Sequence, residues 1–173
     1  QTPPRPVVHL ITIDAPITPV VAEYIIKSID KASQQNAEAL LIQLNTPGGL
    51  VDSTNHIVMK IMSSGIPVVV YVSPSGGRAA SAGVFITLSA HIAAMAPTTH
   101  IGAASPVQME GKMDETMAKK VTNDLAAMIR GIAEKRHRNA KWAEEAVRKS
   151  VSITETEALK EKVIDLIAPD IDS

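Results

Sequence analysis

Apolar residues along the chain fall alternately into strand-length and helix-length groups. "VVHLITI" (7–13) predicts a first strand, "EALLIQLNT" (38–46) a second and "IPVVVYVS" (66–73) a third, each a short, largely apolar run of strand length. Between the first two, Thr18 is placed to cap a helix that has Pro19 at its first position and Val20, Val21, Tyr24, Ile25 and Ile29 on one face. "DSTNHIVMKIMSSG" predicts the next helix, closing on Gly65. A short helical stretch follows Ser81, and "HIAAMAP" (91–97) reads as another buried strand. "TMAKKVTNDLAAMIRGIAEKRH" carries Val121, Leu125, Met128, Ile129 and Ile132 at spacings of three and four, the stripe of a long amphipathic helix. "AKWAEEAVRKS" predicts one more helix. Thr154 with Glu157 forms a capping-box pattern, and Val163 to Ile167 returns as a strand. This rhythm predicts an α/β domain of βα units around a mostly parallel sheet.

Residues 1–6 read as an extended N-terminal segment and 7–173 as one domain, long enough at 173 residues and 45% hydrophobic to bury a core. "VQMEGKMDE" has no sustained period, so 107–116 is expected to be a mobile loop. No apolar run approaches the roughly 20 residues that span a bilayer, and the chain as given is expected to be soluble. Its start, "QTPPRP", reads as a processed or excised beginning, with a segment upstream removed. A formal charge of −1 and no basic stripe interleaved with aromatics argue against nucleic acid as a partner. The absence of Cys removes disulfides, thiol nucleophiles and cysteine metal sites. No motif calls for a metal or an organic cofactor.

Two glycine turns lie at predicted carboxyl ends of strands, where open α/β sheets bind ligands: "NTPGG" (45–49) and "SPSGGRAAS" (73–81). Without β-carbons, Gly48 and Gly49 can turn backbone N–H groups toward a ligand. A Pro-Gly-Gly by itself is more often an ordinary strand-to-helix turn. Ser81 stands among small residues at the start of an apolar helix, where a serine is usually a cap. Together the two turns suggest more. A nucleophilic serine there would have its own N–H and that of Ala82 beside the donors of the glycine turn, as an oxyanion hole requires.

"NTPGGLVDS" and "SPSGGRAASAGVFITLSAHIAAMAPTTHIGAASPV" resemble the Clp-protease and crotonase superfamily, and within it the membrane-bound serine proteases of the NfeD type, often encoded beside a stomatin-like protein. The resemblance runs from about Val7 to Ala168. It implies a fold of stacked βα and ββα units, Ser81 as nucleophile, and Gly48, Gly49 and Ala82 as backbone donors of the oxyanion hole. The place of the Clp-type histidine reads "AASP", Ala103 to Pro106, with no His. His9, His56, His91, His100 and His137 lie elsewhere, and of these His91 and His100 are the best remaining candidates for a base. The NfeD branch uses a Ser-Lys dyad, and its lysine motif is similar to "KVTN", which makes Lys120 the expected base, with Lys119 and then Lys112 as competitors. A free lysine has a pKa of about 10.4, so such a dyad needs its amine desolvated.

What the resemblance implies is a serine endopeptidase that cleaves apolar peptide segments, including those of a stomatin-like membrane partner. It also implies self-association, and an extracytoplasmic protease domain held at the membrane by segments absent from this chain. Two alternatives use the same fold. One is an acyl-CoA hydratase or isomerase, which needs a carboxylate base, Asp52 being the nearest acid to either glycine turn. The other is an inactive module that binds a membrane partner.

Overall fold

The computed structural model describes residues 3–107 and 113–173. Strands β1 (Val8–Asp14), β2 (Ala39–Asn45), β3 (Val68–Val72), β5 (Ile92–Met95) and β8 (Leu166–Ile167) form one sheet in the order β1-β2-β3-β5-β8. All four pairings are parallel. The alternation in β2 shows why the sheet forms. Leu40, Ile42 and Leu44 are fully buried against the helices, while Leu41 and Gln43 on the opposite face are only partly covered.

Helices α1 (Pro19–Gln34), α2 (Val51–Met62) and α3 (Ala82–Ser89) follow β1, β2 and the serine turn respectively. Thr18 caps α1, its side-chain oxygen accepting the Val21 N–H at 3.3 Å, and Pro19 is the first helical residue. The buried face of α1 differs in part from expectation. It is built of Ala22, Ile25, Ile29 and Ala32, while Val20 and Tyr24 are exposed. Alanines close to the sheet set the rotation of this helix, and a pattern weighted by bulky residues reads them weakly. All eight residues of α3 are buried, as expected of a helix that is apolar all round.

The long helix is α4 (Glu115–Lys135), followed by α5 (Ala140–Arg148) and α6 (Glu155–Lys160). Side-chain caps start each of them: Asp114 accepts from the Met117 N–H at 2.7 Å, Asn139 from Trp142 at 2.9 Å and Thr154 from Glu157 at 3.3 Å. Leu125, Ile129 and Ile132 of α4 enter the core; Val121 and Met128 pack at its margin.

The sequence pattern does not announce the second sheet. β4 (Arg78–Ala80), β6 (His100–Gly102) and β7 (Ser152–Thr154) are three residues each, with β4 and β6 parallel and β6 and β7 antiparallel. β4 lies inside the predicted glycine turn. The Thr46–Ala79 bridge joins the two sheets, with the Thr46 N–H donating to Arg78 O at 2.9 Å and the Ala80 N–H to Thr46 O at 3.1 Å. The carboxyl end of β2 therefore leaves the large sheet to hold β4. The segment expected as a strand from Val163 pairs only at Leu166–Ile167, and Val163 and Ile164 are buried in the preceding turn.

Candidate functional site

Ser81 is the residue between β4 and α3. Its backbone lies at φ 52°, ψ −113°, on the positive-φ side that L-residues rarely adopt and that costs on the order of 1–3 kcal/mol. Three contacts hold it there: its N–H donates to Gly102 O at 3.2 Å, its carbonyl accepts the Val84 N–H at 3.0 Å, and the Ala80 bond to Thr46 fixes the residue before it. Although Ser81 occupies the cap position of α3, its hydroxyl makes no capping bond. That separates it from an ordinary helix-start serine, because the hydroxyl is left for another partner.

Gly48 faces this serine directly. It has φ 123°, and a β-carbon placed on it would stand 2.6 Å from Ser81 Cβ and 3.1 Å from Ser81 Oγ. Only a residue without a side chain fits between the turns. Gly49 is locked from the other side, since a β-carbon there would stand 2.1 Å from Ile17 O. Ile17 brackets it, donating to Gly48 O at 2.8 Å and accepting the Leu50 N–H at 2.9 Å.

The four N–H groups near Ser81 are not equivalent. Ser81 gives its own to Gly102, so it is not the open donor that the sequence suggested. Gly48 gives its N–H to Thr46 Oγ1 at 3.2 Å. The N–H groups of Gly49 and Ala82 have no acceptor among the described residues, and Ala82 begins α3, where helix geometry leaves the first N–H groups unpaired.

A cleft of about 200 Å³ opens beside the hydroxyl. Leu50, Val51, Thr54 and Asn55 from the start of α2 form one wall, and Ser81, Ala82 and Phe85 from the start of α3 another. The segment from Ala104 to Val107 and Leu125 of α4 complete it. The lining is dominated by carbon, and two of its hydroxyls are turned to the chain: Thr54 Oγ1 donates to Leu50 O at 2.8 Å and Ser105 Oγ to Val147 O at 2.6 Å.

The structure does not bring the expected base to this cleft. Lys119 and Lys120 both lie exposed on the second turn of α4, outside the cleft lining, and Lys120 makes no hydrogen bond to Ser81. Leu125 does line the cleft, but at 3.6 residues per turn Lys120 projects about 140° around the helix from it. Asn123, the last residue of the "KVTN" stretch, accepts from Arg148 Nη1 at 2.8 Å and ties α4 to α5. Lys112 and the heart of the expected loop, 108–112, lie outside the described residues.

The histidines are placed elsewhere. His91 Nδ1 accepts the Val68 N–H at 3.0 Å at the amino-terminal edge of the sheet, the end of α3 away from Ser81. Burial first, and then the Arg136 and Arg138 guanidiniums, hold its imidazole below the ordinary range. His100 begins β6 and is exposed. Asp52 is exposed and lines a surface groove with Glu23, Asp30 and His56, outside the cleft. No group of three or more potential metal-ligating side chains occurs among the described residues.

Thr46 and Gly102 are parts of the site that sequence reading missed. A glycine in "HIGAASP" was the available signal: Gly102 has φ 145°, and a β-carbon there would stand 2.2 Å from Val151 O.

Residues 7–171 match the family model described as NfeD1b, N-terminal domain. The chain is 43% identical over 168 residues to the membrane-bound protease PH1510 of Pyrococcus horikoshii, covering 95% of this chain and 38% of that protein. It therefore spans well under half the length of this curated relative. A solved structure of the 1510-N membrane-bound stomatin-specific protease with one serine replaced by alanine superposes with a TM-score of 0.91 at 41% identity, over 98% of this chain and 83% of that one. A variant of that protease with one lysine replaced by alanine, in complex with a substrate peptide, gives 0.89 at 40% identity, over 97% and 78%. ClpP1 from Listeria monocytogenes shares the fold at 18% identity, with a TM-score of 0.76 over 94% of this chain and 92% of that one.

Proposed function

The chain belongs to the NfeD1b N-terminal domain family, and on that premise we propose that it is the proteolytic domain of a serine endopeptidase with Ser81 as nucleophile and Lys120 as base. The observation that carries this reading is the Ser81 hydroxyl, uncommitted to the helix it precedes, on a strained turn at the mouth of an apolar cleft. Strain of this kind persists where surrounding contacts impose it, and here the Thr46–Ala79 bridge and the Gly102 carbonyl do so.

In the proposed reaction Ser81 Oγ attacks the carbonyl carbon of a peptide bond while its proton passes to the neutral amine of Lys120. Negative charge gathers on the former carbonyl oxygen. The N–H groups of Gly49 and Ala82 are the available donors for it, and Gly48 joins them if its N–H leaves Thr46 Oγ1. The C–N bond then breaks, and the proton on Lys120 goes to the leaving amine. Water, deprotonated by the same lysine, releases the acyl group from Ser81. Because Lys120 is exposed in the chain alone, a bound substrate has to draw it to Ser81 and exclude water from it; catalytic contacts often tighten only on binding.

An apolar cleft favours apolar peptide segments, and the stomatin-specific relatives support a segment of a stomatin-like protein as substrate. No helix of the described residues is long and apolar enough to cross a membrane. Attachment through other parts of a longer protein is part of the same proposal and is supported by the membrane-bound relative; an extracytoplasmic position for this domain and self-association are its remaining parts.

The test is cleavage of an apolar peptide by Ser81→Ala, Lys120→Ala and Lys119→Ala, with labelling by a serine-reactive phosphonate. Ser81→Ala abolishes labelling and cleavage. Lys120→Ala lowers cleavage by roughly 10²–10⁴-fold, the usual size of a lost general base. Lys119→Ala retains activity. Full activity in either of the first two variants removes that residue from the mechanism.

A further inference from the structure

Thr46 stands where the two turns of the site meet, and each part of it is engaged. Its backbone is tied to β4, donating to Arg78 O at 2.9 Å and accepting the Ala80 N–H at 3.1 Å. Its methyl group lies against the first turn of α3, where a β-carbon on Gly83 would stand 2.8 Å from Thr46 Cγ2. Its buried hydroxyl faces the glycine turn: Oγ1 accepts the Gly48 N–H at 3.2 Å and donates to Gly48 O at 3.3 Å. Gly48 O also accepts the Ile17 N–H, at 2.8 Å.

The consequence falls on the next N–H. The peptide unit joining Gly48 to Gly49 is planar and trans, so its carbonyl and its N–H point in opposite directions. Two donors that hold Gly48 O on one side therefore aim the Gly49 N–H to the other. Gly49 lines the cleft with Ser81 and Ala82, whereas Ile17, Thr46 and Gly48 do not. Hydrogen bonds accepted at the carbonyl also polarise the peptide and strengthen its N–H as a donor.

Resting on the protease reading above, we propose that Thr46 is a positioning residue for the Ser81 reaction: its hydroxyl withholds the Gly48 N–H and fixes the Gly48–Gly49 peptide, so that Gly49 and Ala82 are the two N–H groups that meet the oxyanion. Thr46 touches neither the substrate nor the reacting atoms. It acts by spanning the turns. The strand bonds hold it beside the residue before Ser81, and the hydroxyl carries that placement to Gly49.

The probe is an apolar peptide aldehyde. Ser81 Oγ adds to its carbonyl carbon, the C=O double bond becomes a C–O single bond and the serine proton passes to Lys120, which leaves an oxyanion and no leaving group. Affinity for the aldehyde is measured beside acylation by an apolar peptide ester and a thermal melt. Thr46→Val keeps the shape and removes the hydroxyl. It is expected to weaken aldehyde binding and slow acylation together by about five- to tenfold, the size of one net hydrogen bond, with KM for the ester unchanged. Thr46→Ser keeps the hydroxyl and stays within about threefold of wild type in both, even where it melts lower. Thr99 is the control, a second buried threonine whose hydroxyl donates to a carbonyl, Ala96 O at 2.6 Å. Thr99→Val melts lower and leaves both rates and affinity in place, which separates lost stability from lost alignment.

A second measurement needs no substitution. In wild-type protein labelled with ¹⁵N-glycine, Gly48 is identified as the one glycine that follows a proline. Aldehyde binding moves the Gly49 amide signal downfield, as a new bond to an anion does, while Gly48, still held by Thr46, keeps its position. A downfield move of Gly48 in place of Gly49, wild-type behaviour of Thr46→Val, or equal losses in Thr46→Val and Thr46→Ser each overturn this role and leave Ser81 as nucleophile. Aldehyde that binds Ser81→Ala as tightly as wild type overturns the nucleophile reading and this inference with it.

Discussion

Replacing Gly48 by alanine tests the contact on which the site is built. Two costs arise in the native state. The backbone at φ 123° is one that L-residues avoid, at about 1–3 kcal/mol, and the new methyl group crowds Ser81, at about 1–3 kcal/mol more. Their sum, about 2–6 kcal/mol, is a large part of a typical domain's 5–15 kcal/mol, yet leaves a folded population to assay at moderate temperature. The geometric effect is more specific. The carbon atoms must move from 2.6 Å to at least the 3.4 Å of ordinary contact, so the turns open by 0.8 Å or more. A displacement of about 1 Å at a reacting group can lower a rate about 10²-fold. The assay is the rate of phosphonate labelling at Ser81, followed by mass spectrometry, beside a thermal melt. Gly131→Ala supplies the control, because that glycine lies inside α4 with nothing within 4 Å of an added β-carbon, and the change is expected to stabilise by about 1 kcal/mol. A Gly48→Ala protein that melts with the wild type and labels at the wild-type rate would refute the contact between the turns.

Two further outcomes follow from the far end of α3. Arg138, with its side chain 2% exposed, donates to Leu88 O at 2.9 Å, to Ala90 O at 2.8 Å and to Asp165 Oδ2 at 2.6 Å. Arg138→Leu takes the donor from the buried Leu88 and Ala90 carbonyls, while Asp165 keeps the Ala93 N–H and its access to water, and is expected to lower the unfolding free energy by about 1–3 kcal/mol for each carbonyl in urea titrations; a loss under about 1 kcal/mol would contradict the network. For His91 the folded state resists the proton that the unfolded chain accepts at its ordinary pKa of about 6.5, so stability is full above that pH and declines as pH falls below it. His91→Asn keeps an acceptor for the Val68 N–H and is expected to flatten the melting-temperature slope between about pH 5 and 7; an unchanged slope would assign the titration to another group.

The large sheet was legible because its first strands are compact apolar runs alternating with helix-length segments and because the capping residues Thr18 and Thr154 announce the helices after them. β4, β6 and β7 carry no such signal. Three residues cannot display a period, and their pairing depends on a bridge between Thr46 and Ala79, residues far apart in sequence. The same limit applies at the site. Ser81 and the glycine turn were visible as small residues in unusual company, whereas the role of Gly102 arises only when β6 lies beside β4. The cleft walls Leu50 and Phe85 near helix starts and Leu125 in the middle of α4 were hidden because an apolar residue on a helix reads as core until the space beside it is seen. Lysines 119 and 120 could be ranked only by resemblance, and their shared exposure on α4 shows why helix position alone does not choose between them.

The burial of every residue in α3 limits how the serine can be retuned over generations. A helix with an outer face can drift at that face without disturbing its inner one; this helix has no neutral positions, and any change along it alters packing as well as reactivity. Variation in the reaction proposed for Ser81 is then channelled into α2, α4 and the glycine turns, which meet the hydroxyl from outside. Divergent members should keep the segment from Ala79 to Leu88 nearly fixed while the walls opposite it change freely.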